Sequence, residues 1–134
     1  HHAYLIHTPV HSMLFSGDAL MIDGVGRTDF QSGDAATLYN SIQQKFFNLP
    51  DETLVYPAHD YTDRRITTIA QEKLRNQHIG GKSKQEFIGI MNGLELPYPR
   101  KIDFAVPGNL ECGECPSNIP SEYSGPCARF DQGK

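Results

Sequence analysis

The sequence predicts an α/β fold, and three observations carry that expectation. Short apolar runs at residues 3–6, 13–15 and 53–56 have strand length and end at turn residues. Between and after them, apolar side chains recur at helical spacing, as at Leu38, Ile42 and Phe46. The polar residues able to do chemistry, Asp18 and His59, fall just past strand ends, where α/β folds place functional loops.

Taken in order, the first two strands are separated by His7-Thr8-Pro9-Val10-His11, a turn punctuated by proline. The second strand runs into Ser16-Gly17-Asp18, where glycine permits a sharp exit and leaves the aspartate at the strand's end. Gly24 and Gly26 mark an irregular loop. A helix follows over residues 34–47, capped by Ser32 or Asp34 and ended by Leu49-Pro50. Thr53-Leu54-Val55-Tyr56 is a β-prone run stopped by Pro57, so His59, Asp60 and Tyr61 lie in the loop beyond it. A second helix is expected over residues 66–75. A third is marked by Ser83 and Glu86 at capping-box spacing, with Phe87, Ile90, Met91 and Leu94 along one face. After Leu96-Pro97-Tyr98-Pro99 the chain is rich in proline and glycine, and residues 116–134 are expected to be an extended or disordered tail.

A chain of 134 residues is long enough to bury one core, and 38% hydrophobic against 21% charged residues is a globular composition. No apolar run approaches the length that spans a bilayer. The net charge of −4 argues against nucleic acid or an anionic membrane as partner, since either favours a basic face. The three cysteines, Cys112, Cys115 and Cys127, are an odd set with a lone CxxC and no nearby histidine. They read as free thiols in a reducing compartment, neither a disulfide framework nor a zinc site.

Asp18 and His59 each have two readings. A strand-end aspartate is a metal ligand or a turn-former bonding its own backbone, and a loop histidine is a ligand or simply solvated. Together they offer the oxygen and nitrogen donors that iron or zinc takes, although a metal site needs at least one further protein ligand.

The motifs around them are specific. Gly17-Asp18-Ala19-Leu20, then Gly24-Val25-Gly26-Arg27-Thr28-Asp29-Phe30-Gln31, then Tyr56-Pro57-Ala58-His59-Asp60-Tyr61 resemble the persulfide dioxygenase branch of the metallo-β-lactamase superfamily. The likeness continues in order through Glu86-Phe87, Met91, Leu96-Pro97, Pro99, Ile102-Asp103, Ala105, Pro107, Asn109 and Cys112-Gly113. It implies an αββα sandwich of α/β (α+β) class, with residues 1–115 as the C-terminal part of that domain and the chain covering its C-terminal half. It implies one Fe(II) per chain, held by two histidines and one carboxylate, and a reaction of glutathione persulfide with O2 to give sulfite and glutathione. Asp18 would be the carboxylate ligand. His59 matches the histidine that holds a second metal in the family's hydrolases and stands beside the iron in the dioxygenases. Asp60 and Tyr61 would orient ligands and bound water, and Tyr61, Arg27 and His78 would contact substrate. Arg27 in particular would pair with Asp60 or with a glutathione carboxylate.

The sequence also departs from the family. Val25 stands where a cysteine is common, and Asn76-Gln77-His78 replaces Asn-Pro-Arg, so His78 would hold a carboxylate weakly and with pH dependence. The two histidine ligands are expected upstream of His1, in THxHxDH and TPGHT segments, supplied by a missing N-terminal segment or a companion chain. Thr8-Pro9-Val10-His11 imitates TPGHT but sits too close to Asp18, and His1 or His2 as a substitute ligand is the weaker option. A homodimer and a cytoplasmic location, or the mitochondrial matrix in a eukaryote, complete the expectations. The main alternative is a glyoxalase II-type binuclear thioester hydrolase, whose corresponding segments read GDTLF, GCGRFFEG and CGHEYT. A sulfurtransferase lacks its cysteine cradle here. A non-catalytic half-domain that only pairs with another chain is the third rival.

Overall fold

The computed structural model describes residues 2–30, 32–99 and 101–111. The chain divides into two compact units, His1–Leu94 and Glu95–Lys134.

The first unit is built on a four-stranded mixed sheet in the order β1-β2-β3-β4, where β1 is Tyr4–His7, β2 Ser12–Gly17, β3 Leu54–Pro57 and β4 Thr67–Thr68. β1 and β2 form an antiparallel hairpin across the expected turn, with Tyr4 opposite Phe15 and His7 opposite Ser12. β3 lies parallel to β2, with Leu14 opposite Val55, and β4 returns antiparallel to β3. A parallel pair needs a crossover, and here it carries α1, Ala35–Ser41. Asp34 caps α1 by accepting from the Thr37 amide at 2.7 Å; Ser32 instead takes a positive φ of 57°.

The helix expected over residues 34–47 forms, but it widens to a π-turn over Ile42–Phe46, closed by the Phe47 amide on the Ile42 carbonyl at 2.8 Å. One extra residue per turn rephases the helix. Ile42, Phe46 and Phe47 are all buried, the wider turn bringing Phe47 back over Ile42.

α2 covers Ile69–Arg75, starting three residues later than expected because Thr67 and Thr68 pair with β3 as β4. Both are β-branched, and Thr68 then caps the helix through the Gln71 amide at 3.2 Å. α3, Lys84–Asn92, has the capping box in full, with Ser83 and Glu86 each bonding the other's backbone. Phe87 and Met91 are buried on its inner face. Leu14 and Val55 from the sheet meet Leu20, Ile42, Ile69, Ile79 and Phe87 in one core. The opposite sheet face stays open. Tyr4, Ile6 and Phe15 are 66%, 46% and 39% exposed, and Phe15 stacks on Tyr56 at 5.1 Å.

In the second unit, α4 spans Ile102–Leu110, within the stretch noted as rich in proline and glycine. Pro107 is inside it, and the Tyr98 hydroxyl donates to Asp103 at 2.6 Å. The expectation of a tail over residues 116–134, and all three cysteines, lie outside the described residues.

Candidate metal centre

β2 and β3 end side by side, and the Ala58 amide donates to the Gly17 carbonyl at 3.0 Å. This bond sets the next residue of each strand, Asp18 and His59, against one another. Gly17 turns the chain with a φ of 59°, a left-handed conformation that glycine adopts without a steric penalty. The loop then packs tightly: a Cβ on Gly26 would stand 2.5 Å from the Asp18 carbonyl oxygen. Buried Ser16 donates to the Leu20 carbonyl at 2.6 Å, fixing the segment on the other side of Asp18.

The outcome is a direct contact, His59 Nδ1 to Asp18 Oδ1 at 2.6 Å, between residues 41 positions apart in sequence. Both side chains face solvent, 60% exposed for His59 and 46% for Asp18. With a proton on Nδ1 the imidazole donates to the carboxylate, which leaves Nε2 and the second carboxylate oxygen free. An open depression of about 250 Å³ lies beside His59, lined by Pro57, Ala58, Asp60, Asp63, Arg64 and Arg65. The antiparallel β1–β2 register puts His7 and His11 at the far end of the sheet from Asp18, so the Thr8-Pro9-Val10-His11 turn contributes no ligand to this pair.

The donors suit a borderline transition metal: one oxygen and one nitrogen, adjacent and open on one side. They are two, and among the described residues no group of three or more histidine, cysteine, aspartate or glutamate side chains could hold a metal ion. Asp18 and His59 alone would therefore be an incomplete ligand set for such an ion.

The remaining predicted residues occupy different surroundings. The Asp60 carboxylate accepts from the Thr62 amide at 2.9 Å, the Thr62 hydroxyl at 3.0 Å and the Arg64 amide at 2.7 Å. Burial works against its ionisation, yet the Arg64 and Thr62 amides outweigh that and hold its pKa below the usual range. Tyr61 is 88% exposed at the loop's tip. Arg27 does not pair with Asp60; it binds Asp29, Nε to Oδ1 at 2.7 Å and a second nitrogen to Oδ2 at 2.5 Å, and lies over the Phe30 ring at 4.8 Å. The two are neighbours in sequence and reach each other without crossing the cleft, which explains the difference. His78 sits against Gly24, with Nδ1 buried and unpartnered. Burial, and next the charge of Lys82, push its pKa down, so at neutral pH it is an uncharged ring making no hydrogen bond to Asp18 or His59.

Sequence reasoning missed a buried polar network that holds the loop after Asp18. Glu72, 1% exposed, accepts from the Asp23 amide at 2.9 Å, the Asn76 amide group at 2.8 Å and the Thr67 hydroxyl at 2.8 Å. Asn76 also donates to the Gly24 carbonyl at 2.9 Å. A helical Glu and Asn four apart is the available signal, but it does not say that their partner lies some fifty residues earlier.

A mixed α/β sheet with paired metal donors at adjacent strand ends is the architecture of the metallo-β-lactamase superfamily, and the sequence model of that superfamily matches residues 1–59. The chain belongs to this superfamily, and within it is related to the persulfide dioxygenases. It is 52% identical over 103 residues to the human protein "Persulfide dioxygenase ETHE1, mitochondrial", covering 77% of this chain and 40% of that one. It superimposes on the crystal structure of ETHE1 from Myxococcus xanthus with a TM-score of 0.74 and 56% identity, over 76% of this chain and 45% of that one. Hydroxyacylglutathione hydrolase GloC of Haemophilus influenzae is 39% identical over 85 residues, 58% of this chain and 38% of that protein. The chain thus spans about two fifths of the length of these two curated relatives. Among the described residues, no helix is long and apolar enough to cross a membrane.

Proposed function

We propose that this chain contributes to a non-haem Fe(II) persulfide dioxygenase, which converts glutathione persulfide, O2 and water to glutathione and sulfite. The observation that carries the reading is the Asp18–His59 contact of 2.6 Å at the ends of two neighbouring parallel strands. It brings together the two residue types the motifs single out. The higher identity to persulfide dioxygenases than to the thioester hydrolase, 52% against 39%, supports the oxidative branch.

Asp18 is the carboxylate that holds the iron, with one Fe(II) per chain and the other ligands supplied by an N-terminal segment or companion chain. Bound Fe(II) supplies electrons for O2 and open positions for the substrate sulfur, which redox-inert zinc cannot. His59 braces the Asp18 carboxylate through Nδ1–H, fixing which oxygen points outward. Its outward Nε2 is the atom that would bind a second metal in the binuclear hydrolytic alternative. Asp60 shapes the turn carrying His59, and Tyr61 is placed to meet a ligand entering from solvent. Arg27 and His78 complete the substrate assignments, Arg27 toward a glutathione carboxylate and His78 as a neutral neighbour. The protein acts in the cytoplasm, or in the mitochondrial matrix in a eukaryote, with a homodimer as its assembly.

The test is one preparation of full-length protein assayed two ways. Oxygen uptake with glutathione persulfide is expected, and no thioester cleavage with S-lactoylglutathione. Cleavage without oxygen uptake, iron being present, assigns Asp18 and His59 to a hydrolytic two-metal centre. Both substrates carry glutathione, so the comparison isolates the chemistry at sulfur.

A further inference from the structure

We propose that Arg64 is the positioning residue of this site, binding both loops that carry the Asp18–His59 pair and holding them at contact distance. The inference rests on the reading of Asp18 and His59 as the working pair. Beyond the Ala58–Gly17 hydrogen bond the two loops leave the sheet, and the pair itself is open to solvent, where a lone hydrogen bond competes with water. A separate brace is therefore needed.

Arg64 supplies it from four directions. Its Nε donates to the Thr62 hydroxyl at 2.8 Å, and one terminal nitrogen donates to Asp60 Oδ1 at 3.2 Å, inside the turn that carries His59. The other terminal nitrogen donates to Asp23 Oδ2, in the loop that follows Asp18, 41 residues away in sequence. The nitrogen that bonds Asp60 also donates to the Ile22 carbonyl at 3.5 Å, so it spans both loops. Both anchors are firm. The Asp60 side chain is only 8% exposed. Asp23 has a φ of 59°, and its amide is tied to buried Glu72 at 2.9 Å. A planar guanidinium can reach all these acceptors at once, whereas an ammonium acts as a point charge. The neighbouring Arg65 has no hydrogen bond or ion pair among the described residues, so local charge alone does not account for the arrangement. Arg64 thus acts through the loops and need not touch substrate.

The test reads the His59 ring in full-length, metal-free protein by ¹⁵N-labelled imidazole spectra, at a pH where the ring is neutral. A solvated imidazole favours the Nε2–H tautomer, while the bond to Asp18 requires Nδ1–H. Wild type is expected to show mainly Nδ1–H. Arg64→Ala should revert toward the solvated mixture and raise the Kd for Fe(II) about 10–100-fold, while Arg65→Ala keeps the wild-type spectrum. Asp23→Ala should shift the tautomer in the same sense, and the double variant Asp23→Ala/Arg64→Ala should be no worse than Arg64→Ala alone, as expected for partners in one bridge. A wild-type tautomer and wild-type Kd in Arg64→Ala overturn the proposal. If Arg64→Ala does not fold, Arg64→Lys decides: a shift of the same sign supports the bridge, and unchanged spectra overturn it. Turnover is not needed for this readout. A protein inactive toward persulfide but with an Arg64-dependent His59 tautomer loses the proposed reaction and keeps this inference, and the reverse result removes the inference alone.

Discussion

At the scale of single residues the site is a carboxylate and an imidazole, and each makes a distinct prediction. Asp18→Ala in the full-length protein should abolish iron retention, measured by elemental analysis; normal iron content would remove Asp18 from the ligand set. His59→Ala should keep about one iron per chain but lower turnover about 10–100-fold if, as proposed, the ring orients the Asp18 carboxylate. Loss of all metal in that variant would instead favour the binuclear hydrolase. These two residues were legible in sequence because each follows a strand and a turn residue, Gly17 or Pro57-Ala58. Arg64 was not, because its importance depends on Asp23, 41 positions away. Arg27 was legible as a residue of interest but not in its partner. Glu72 was equally hidden, and its burial carries a pH consequence. Burial raises its pKa, with hydrogen bonds from Thr67 and Asn76 opposing. A raised folded-state value means the stability tied to this proton is complete below the unfolded-state pKa and lost as pH rises through the folded one. Glu72→Gln removes the titration and keeps the contacts. Its amide nitrogen can donate to Thr67 Oγ1, whose single proton is then free for Gln71 Oε1 at 3.0 Å. Thermal melts should give the variant little advantage near about pH 4 and a growing one toward neutrality. An advantage that shrinks with rising pH would contradict this.

At the scale of elements, local chemistry decided what the sequence could disclose. The Ser83–Glu86 box and the Asp34 cap were readable because a cap is a short-range contract between side chain and backbone. β4 was not, since it has two residues and exists only because Thr67 and Thr68 meet Val55 and Leu54. α4 was hidden by Pro107 and Gly108, residues that usually end helices, in a segment where Ala105 still donates to the Lys101 carbonyl at 2.8 Å. The π-turn at Ile42–Phe46 was also invisible: a four-residue apolar repeat predicts a helix without saying that it widens. Its consequence is testable. Phe46 and Phe47 are each 8% exposed, so Phe46→Ala and Phe47→Ala should each cost about 3–5 kcal/mol in denaturant unfolding. In a regular α-helix Phe47 would turn away from the Ile42–Phe46 side, and its removal would cost far less. A small loss at Phe47 with a large one at Phe46 would show that the π-turn is absent in solution.

At the scale of the molecule, the sheet of the first unit packs the described core on one face and exposes apolar side chains on the other. Leu14 and Val55 point into the core, while the alternate positions Tyr4, Ile6 and Phe15 point outward and remain exposed, with Phe15 stacked on Tyr56. Period-two alternation would normally place polar residues there if the face met water. These are aromatic and aliphatic, the composition of a face meant to be covered. In an αββα sandwich, the arrangement expected from the sequence, a second sheet would cover this face. Among the described residues β1 is an outer strand, which leaves backbone groups along one side without a strand partner there. The 134-residue chain prepared alone should therefore self-associate and bind a hydrophobic dye, seen by light scattering and fluorescence. The double substitution Ile6→Glu/Phe15→Glu should reduce both signals in the isolated chain, since charge on the open face opposes stacking. In the full-length protein the same pair should instead lower the melting temperature, because there the carboxylates would be forced into a sheet-to-sheet interface. The isolated chain and the full-length protein must respond in opposite directions. An isolated chain that is monomeric and dye-silent, or a full-length protein indifferent to both glutamates, would mean that this face is not the buried layer of the sandwich.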